Sequence, residues 1–399
     1  MMKRILYFVF WVIFCTSCGN FLEEYSQDLV YAQSCEDLDE ILIGNGYMAQ
    51  PTTPSYFSYG DKAFYYPYLH VMDDDIEEYL TGNANISSSI NPVTTLRNFY
   101  IWAKEPFMRI SGLTFRDYDW KRMYEHIGYL NVIISYVKEF HEDSEEMRHR
   151  ILGEAQFLRA GYYFMLVNLY ANPYSKETAD ATMGVPLNLT EYIEEGYFSR
   201  DPVAAVYRQI VTDLENAIVN LSGIKQPTIY RVNEKAARAL LSRVYLYMGE
   251  WQLVIDECDE IIKMGCSLWD LNNFDPGTAT FGCKRDYFLA KESPEIFFTQ
   301  GAGVVGLLMD NQNITSQTRY RASDELYGIY SKYEKDGILD LRKNCFFEMS
   351  KRDNGYFFVR KNPMFDATVF DSFLLRNDQS PFPQVYQQCD GKPVHRHKG

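Results

Sequence analysis

Arg97-Asn98-Phe99-Tyr100-Ile101-Trp102 is the segment whose residue types come nearest to a recognisable chemistry. Aromatic planes stack on the C–H faces of sugar rings, while Arg, Asn and Asp side chains bond hydroxyls. A sugar-binding face therefore needs exposed rings flanked by those polar groups. Phe64-Tyr65-Tyr66-Pro67-Tyr68 is a second ring cluster, and Asp73-Asp74-Asp75-Ile76-Glu77-Glu78 is a dense carboxylate run. The candidate contact set is Arg97, Asn98, Tyr100 and Trp102, with Tyr66 and Asp74 from the neighbouring runs. A blander reading stands beside it. Phe99, Trp102 and the 64–68 rings could anchor a core, and the acidic run could open a solvated helix, because carboxylates favour the positive helix end. That run lacks the alternating spacing and glycine of an EF-hand. Calcium binding or hydroxyl contact by one of its Asp residues is the sharper alternative.

Other chemistries find less support. Glycoside hydrolysis needs two carboxylates at a set separation, and with 54 acidic residues some pair can always be found. His70, His126, His141 and His149 have no metal-ligand spacing. GxSxG, HExxH and Walker patterns are absent from the sequence. The reading is a non-enzyme with no cofactor and no metal. Arg159, Arg238 and Arg243 read as braces between helices.

The first residues bear on compartment. Lys3 and Arg4 precede an apolar run of 11 residues, Ile5 to Cys15. A bilayer span needs about 20 residues, but the central region of an export signal is shorter. Cys15-Thr16-Ser17-Cys18-Gly19 resembles a bacterial lipobox with Cys where Leu is usual, so that Cys18 would be lipidated after removal of a signal peptide, 1–17. An ordinary secretory signal is the rival reading. Six cysteines follow Cys18, none in CxxC spacing, so zinc-finger and redox spacings are lacking.

Composition narrows the partners. The chain has 399 residues, 46% apolar and 23% charged, which is globular and large enough for a substantial core. Aromatic residues reach 16%, with 32 Tyr. The net charge is −15, which disfavours nucleic acid and loose adsorption to anionic lipid. Attachment to a membrane would then be covalent or through a protein.

The elements that must position these residues are mostly helices. A helix is expected around Cys35–Leu42. Residues 51–112 show no sustained 3.6-residue period and read as a loop-rich insertion with short elements. Ile151, Ala155, Leu158, Tyr162, Met165 and Leu169 recur at steps of 4, 3, 4, 3 and 4, an apolar stripe on one helix. Asp201-Pro202 offers an N-cap and first-turn proline for a helix through Val206, Ile210, Leu214, Ala217 and Leu221. Ala237–Met248 ends at Gly249, Val254–Ile261 ends near Gly265, and residues 118–140 form a further helix. Leu158-Arg159-Ala160 and Ala237-Arg238-Ala239 recur at an offset of 79. With the large/small alternation around Leu241–Trp251, this pattern suggests tetratricopeptide-like helix pairs. Residues 266–376 are mixed: Glu295–Phe298 and Gly355–Arg360 read as strands and Ala322–Tyr333 as a helix.

Several of these segments resemble one family. Glu154-Ala155-Gln156-Phe157-Leu158-Arg159-Ala160-Gly161-Tyr162-Tyr163-Phe164, then Gly184-Val185-Pro186-Leu187, resembles the central signature of the SusD/RagB outer-membrane lipoproteins of Bacteroidetes. Val206–Ile218, Ala236–Trp251, Ser293–Phe297 and Tyr124–Asn131 are similar to further family segments, in the same order. The resemblance covers residues 18 to about 376. It implies a mostly α, tetratricopeptide-like scaffold with long irregular loops and a few short strands. It implies capture of an extracellular nutrient, most often an oligosaccharide, and delivery to a SusC-like TonB-dependent receptor, with an outer-membrane lipid anchor and no catalysis. On this reading 18–265 is the N-terminal region with its helices, 266–377 an incomplete loop-rich part and 378–399 an atypical tail. Asp378-Gln379-Ser380-Pro381-Phe382-Pro383 stands where the family continues into a helix, and Pro381 and Pro383 oppose one. A frameshift or truncation near Asn377 is the expectation. Rivals are a family member that binds peptide, a lipid-anchored glycosidase, and a tetratricopeptide scaffold without small ligand.

Overall fold

The computed structural model describes residues 32–48, 65–80, 92–108, 112, 114, 117–192, 198–273, 293–300, 318–350 and 355–358. Cys18, the signal segment, and the tail from 359 onward lie outside them.

The described residues open with α1 (Cys35–Ile41), whose start is capped by the Ser34 hydroxyl accepting from the Asp37 amide at 3.2 Å. It runs into a π-helical turn, Leu42–Gly46. Five helices follow as the scaffold: α3 (Tyr118–Tyr136), α4 (Glu145–Tyr170), α5 (Val203–Leu221), α6 (Glu234–Met248) and α7 (Trp251–Lys263). Each packs chiefly against its sequence neighbours, the arrangement of stacked helix pairs. Their ends follow from local chemistry. Ser144 caps α4 by accepting from the Met147 amide, and Asn233 caps α6 by accepting from the Ala236 amide at 3.0 Å. Gly249 ends α6 at φ +72, a conformation that costs glycine no Cβ clash.

On α4 the stripe residues Ile151, Ala155, Leu158 and Tyr162 are buried, and Met165 and Leu169 are half-buried against the core. This helix is the centre of the core, covered by α3 and α5 on two sides. Gly153 allows the closest approach, because a Cβ there would lie 2.6 Å from Leu221 Cγ.

Charged braces join the layers. Arg159 donates to both carboxylate oxygens of Asp213, at 2.8 and 2.7 Å, and to Asn131 Oδ1 at 2.9 Å, linking α4 to α5 and α3. Arg238 joins α6 to α7 through Glu234 and Glu257. Arg243, by contrast, is exposed. A third brace has no counterpart among the expectations. Asp39 of α1 and Glu154 of α4 together face Arg150 and Arg231. Burial raises Asp39, and the bonds from Arg150 and Arg231 outweigh it, leaving the carboxyl below its ordinary range.

The insertion contributes a helix, α2 (Pro92–Tyr100), and a strand, β1 (Ile76–Leu80). β1 pairs antiparallel with β2 (Thr318–Ala322), Ile76 opposite Ala322 and Leu80 opposite Thr318. Further on lie α8 (Asp324–Tyr330), α9 (Arg342–Phe346) and the antiparallel pair β3 (Phe347–Ser350) and β4 (Gly355–Phe358).

Three expectations are corrected. The acidic run leads into β1 instead of opening a helix, because Ile76 and the residues after it find a partner strand far along the chain. The 92–100 helix is one of the short elements expected in the insertion, its apolar Leu96 and Phe99 packed against the 65–71 segment. Asp201 does not cap α5: its carboxylate accepts from the Leu187 amide at 2.8 Å, and the helix begins at Val203 after Pro202. Among the described residues Glu295–Phe298 has no strand partner in a sheet.

Candidate functional site

The Arg97–Trp102 segment is the end of α2 and the turn that leaves it. The Ile101 amide donates to the Arg97 carbonyl, Trp102 to Phe99 and Ala103 to Asn98, the last at 2.8 Å. Asn98 Nδ2 donates to the Met108 carbonyl and closes the 98–108 loop from inside. Trp102 stands at the apex with φ +51 and 69% of its surface exposed, beside exposed Ile101.

The underside of that loop is aromatic. Phe99 is 4% exposed. Its ring stacks on Tyr68 at 4.4 Å and 13°, and meets Phe107 edge-on at 5.1 Å. Tyr68 in turn meets Tyr66 edge-on at 5.9 Å.

The six candidate residues separate into groups. Arg97 Nε donates to both Glu78 oxygens, at 3.1 and 3.3 Å. The Tyr100 hydroxyl accepts from the Glu78 amide at 3.1 Å, with its ring 5.5 Å from buried Tyr320. These two side chains therefore turn toward the β1–β2 ribbon. Arg321 pairs with Glu77 on that ribbon. Asn98 serves the loop backbone. Asp74 is exposed in the turn before β1, where burial and the charges of Asp73 and Asp74 raise the neighbouring Asp75. Tyr66 is 2% exposed, so its ring is a core ring and offers no face to a ligand. Trp102 is the one candidate that presents an aromatic face to solvent.

Tyr66 carries a second left-handed backbone, φ +46. Its amide donates to Asp119 Oδ2 at 2.9 Å, and Asp119 also receives Arg122 Nη1 at 3.2 Å. Burial is the main cause that lifts Asp119 to about 6. The Arg122 guanidinium lies 3.4 Å from the centroid of the Tyr65 ring. His126 Nδ1 contacts the Asn45 carbonyl, which can only accept, so that nitrogen carries the proton. Nε2 is then the acceptor for the Tyr65 hydroxyl at 2.8 Å. Burial pushes His126 below the ordinary histidine range. Only the spacing 119, 122, 126 on one helix face could have signalled this group.

Among the described residues no group of three or more His, Cys, Asp or Glu could hold a metal ion. No described helix is long and apolar enough to cross a membrane.

Comparison with known proteins bears on this arrangement. Residues 72–246 match the SusD-like family described as "Starch-binding associating with outer membrane". The chain is similar to SusD-like protein P25 of Formosa agariphila, 26% identical over 267 residues, covering 65% of this chain and 46% of that protein. A SusD superfamily protein from Bacteroides thetaiotaomicron shares the fold at TM-score 0.58 and 20% identity, over 83% of this chain and 72% of that one. A putative sugar binding protein from Bacteroides vulgatus does so at TM-score 0.59 and 23% identity, over 84% and 70%. The helix pairs α3 to α7 share the fold of these two structures, mostly α with few strands. The chain spans just under half the length of the Formosa relative.

Proposed function

We propose that this chain is a SusD-like protein that binds an oligosaccharide outside the cell and passes it to a SusC-like TonB-dependent transporter, tethered to the outer membrane by lipid on Cys18. The observation that carries the binding half is Trp102, a large flat ring held out to solvent on a loop whose underside is packed. Support for the ligand class comes from the starch-binding, outer-membrane description of the matched family and from the sugar-binding name of one fold neighbour. An exposed indole costs little to desolvate and offers a face to sugar C–H groups.

Calorimetric titration of a neutral oligosaccharide panel tests this. Trp102→Ala should weaken binding at least tenfold while the circular dichroism spectrum stays unchanged, and Trp102→Phe should retain part of the affinity. Equal affinity of Trp102→Ala and wild type removes the assignment. Binding of peptides in place of sugars selects the other ligand class, and sugar release by the purified protein would turn the reading toward hydrolysis. Mass spectrometry of the exported chain reads the Cys18 modification directly.

A further inference from the structure

Among the described residues two non-glycine residues have positive φ, Tyr66 at +46 and Trp102 at +51. They lie 36 positions apart in the chain, yet one stack joins them. Tyr68, two residues after Tyr66, lies flat on Phe99, and the Phe99 carbonyl receives the Trp102 amide at 3.0 Å. A left-handed tyrosine or tryptophan persists only where its surroundings over-determine it. For Tyr66 the surroundings are one face of α3. Asp119 takes its amide, Arg122 covers the preceding Tyr65 ring and His126 takes the Tyr65 hydroxyl. The opposite side of His126 is fixed by the Asn45 carbonyl and by the Tyr162 ring of α4 at 5.3 Å. The support for the loop is therefore anchored on the packed helices α3 and α4.

We propose that Asp119, Arg122 and His126 are positioning residues for the Trp102 ring: by gripping Tyr65 and Tyr66 they hold Tyr68 under Phe99 and so set the direction in which the indole faces solvent. This deepens the proposed function and rests on Trp102 being the ligand platform. None of the three needs to touch ligand. Their effect travels through packed rings, which transmit small displacements because the interior is close-packed. It should show as a change in ring orientation, with affinity following.

The protein labelled with 5-fluorotryptophan gives one 19F line per indole, and Trp102→Phe assigns the line of Trp102. Tyr65→Phe removes only the hydroxyl that His126 accepts, and Tyr68→Leu removes the stack on Phe99. Both should shift or broaden the Trp102 line, leave those of Trp251 and Trp269 in place, and weaken oligosaccharide binding about tenfold. Tyr47→Phe is the control for general destabilisation, because it removes a buried hydroxyl that serves Glu154 and the Val232 amide; its Trp102 line should not move. A Trp102 line unmoved in Tyr65→Phe and Tyr68→Leu overturns the proposal, as does an equal movement in Tyr47→Phe. A line that moves without any change in oligosaccharide affinity upholds the positioning and overturns the platform instead. If Tyr68→Leu does not fold, Tyr65→Phe decides alone.

Discussion

A tryptophan at φ +51 is disfavoured by roughly 1–3 kcal/mol, and an exposed one recovers little of that by burial. The residues beneath it must hold that conformation. His126 shows how tightly they are set. Both of its ring nitrogens are occupied, and an added proton would convert Nε2 from acceptor to donor opposite the Tyr65 hydroxyl. Burial holds His126 below about 6.5, the value expected in the unfolded chain. The unfolded state then binds the proton first, so this group's contribution to stability is lost as pH falls below about 6.5. Asp119 has the opposite sign. Its folded value of about 6 stands above the ordinary aspartate range, so its protonation favours the folded state as pH falls below 6. His126→Gln keeps a donor and an acceptor but cannot titrate, while Asp119 is common to both proteins. Urea midpoints from pH 7.5 to 5 should decline less, or rise, in His126→Gln relative to wild type. Parallel curves would show that folding leaves the His126 pKa unshifted.

At the scale of elements, α4 is the helix on which the others are registered. It lacks a Cβ at Gly153, where Leu221 of α5 closes in to 2.6 Å of the position a methyl would take. The Leu221 side chain is fully buried, so it has no open direction in which to retreat. Gly153→Ala gains helix propensity of about 1 kcal/mol but must part α4 from α5, and overpacking costs about 1–3 kcal/mol. A net loss of stability in urea is expected; a gain would mean that Leu221 rotates aside. The α4 stripe was legible because its period repeats over many turns, and the α6 end because one glycine marks it. Arg159 and Arg238 were legible as braces for the same reason: each sits on a helix already placed. Three features were not. β1 is Ile-Glu-Glu-Tyr-Leu, and nothing in those five residues names a partner strand whose Ala322 lies 246 positions beyond Ile76. The α2 helix is short, and its apolar side is defined by Tyr68, outside the element. Tyr66 stood open between ligand contact and core ring because type and neighbours alone do not say which ring faces in. Trp102 lies in that same ring-rich stretch of sequence, and only the loop closure from Asn98 to Met108 separates the outward ring from the inward ones.

For the whole molecule, the stack of helix pairs has two kinds of outer surface. Where α4 is covered on both sides, apolar residues vanish inside. α7 lies at one end of the α3–α7 series, and solenoids need a polar outer face at such ends. On α7 Trp251, Ile255, Cys258 and Ile262 fall within an arc of about 60°, at about 100° per residue, and all four are exposed. Val254 and Ile261 lie on the side turned to α6, with Ile261 at 8% exposure against 52% for Ile255. The two stripes are adjacent in sequence and opposite in environment, which makes them a test of whether the outer one faces water. A lysine at an exposed site changes stability by no more than about 0.5 kcal/mol, whereas a charge placed in the inner stripe costs more than about 2 kcal/mol unless the helices separate. Ile255→Lys should therefore leave the urea midpoint close to wild type, and Ile261→Lys should lower it sharply. If Ile255→Lys is as damaging as Ile261→Lys, the outer stripe is covered in solution and α7 does not end the solenoid.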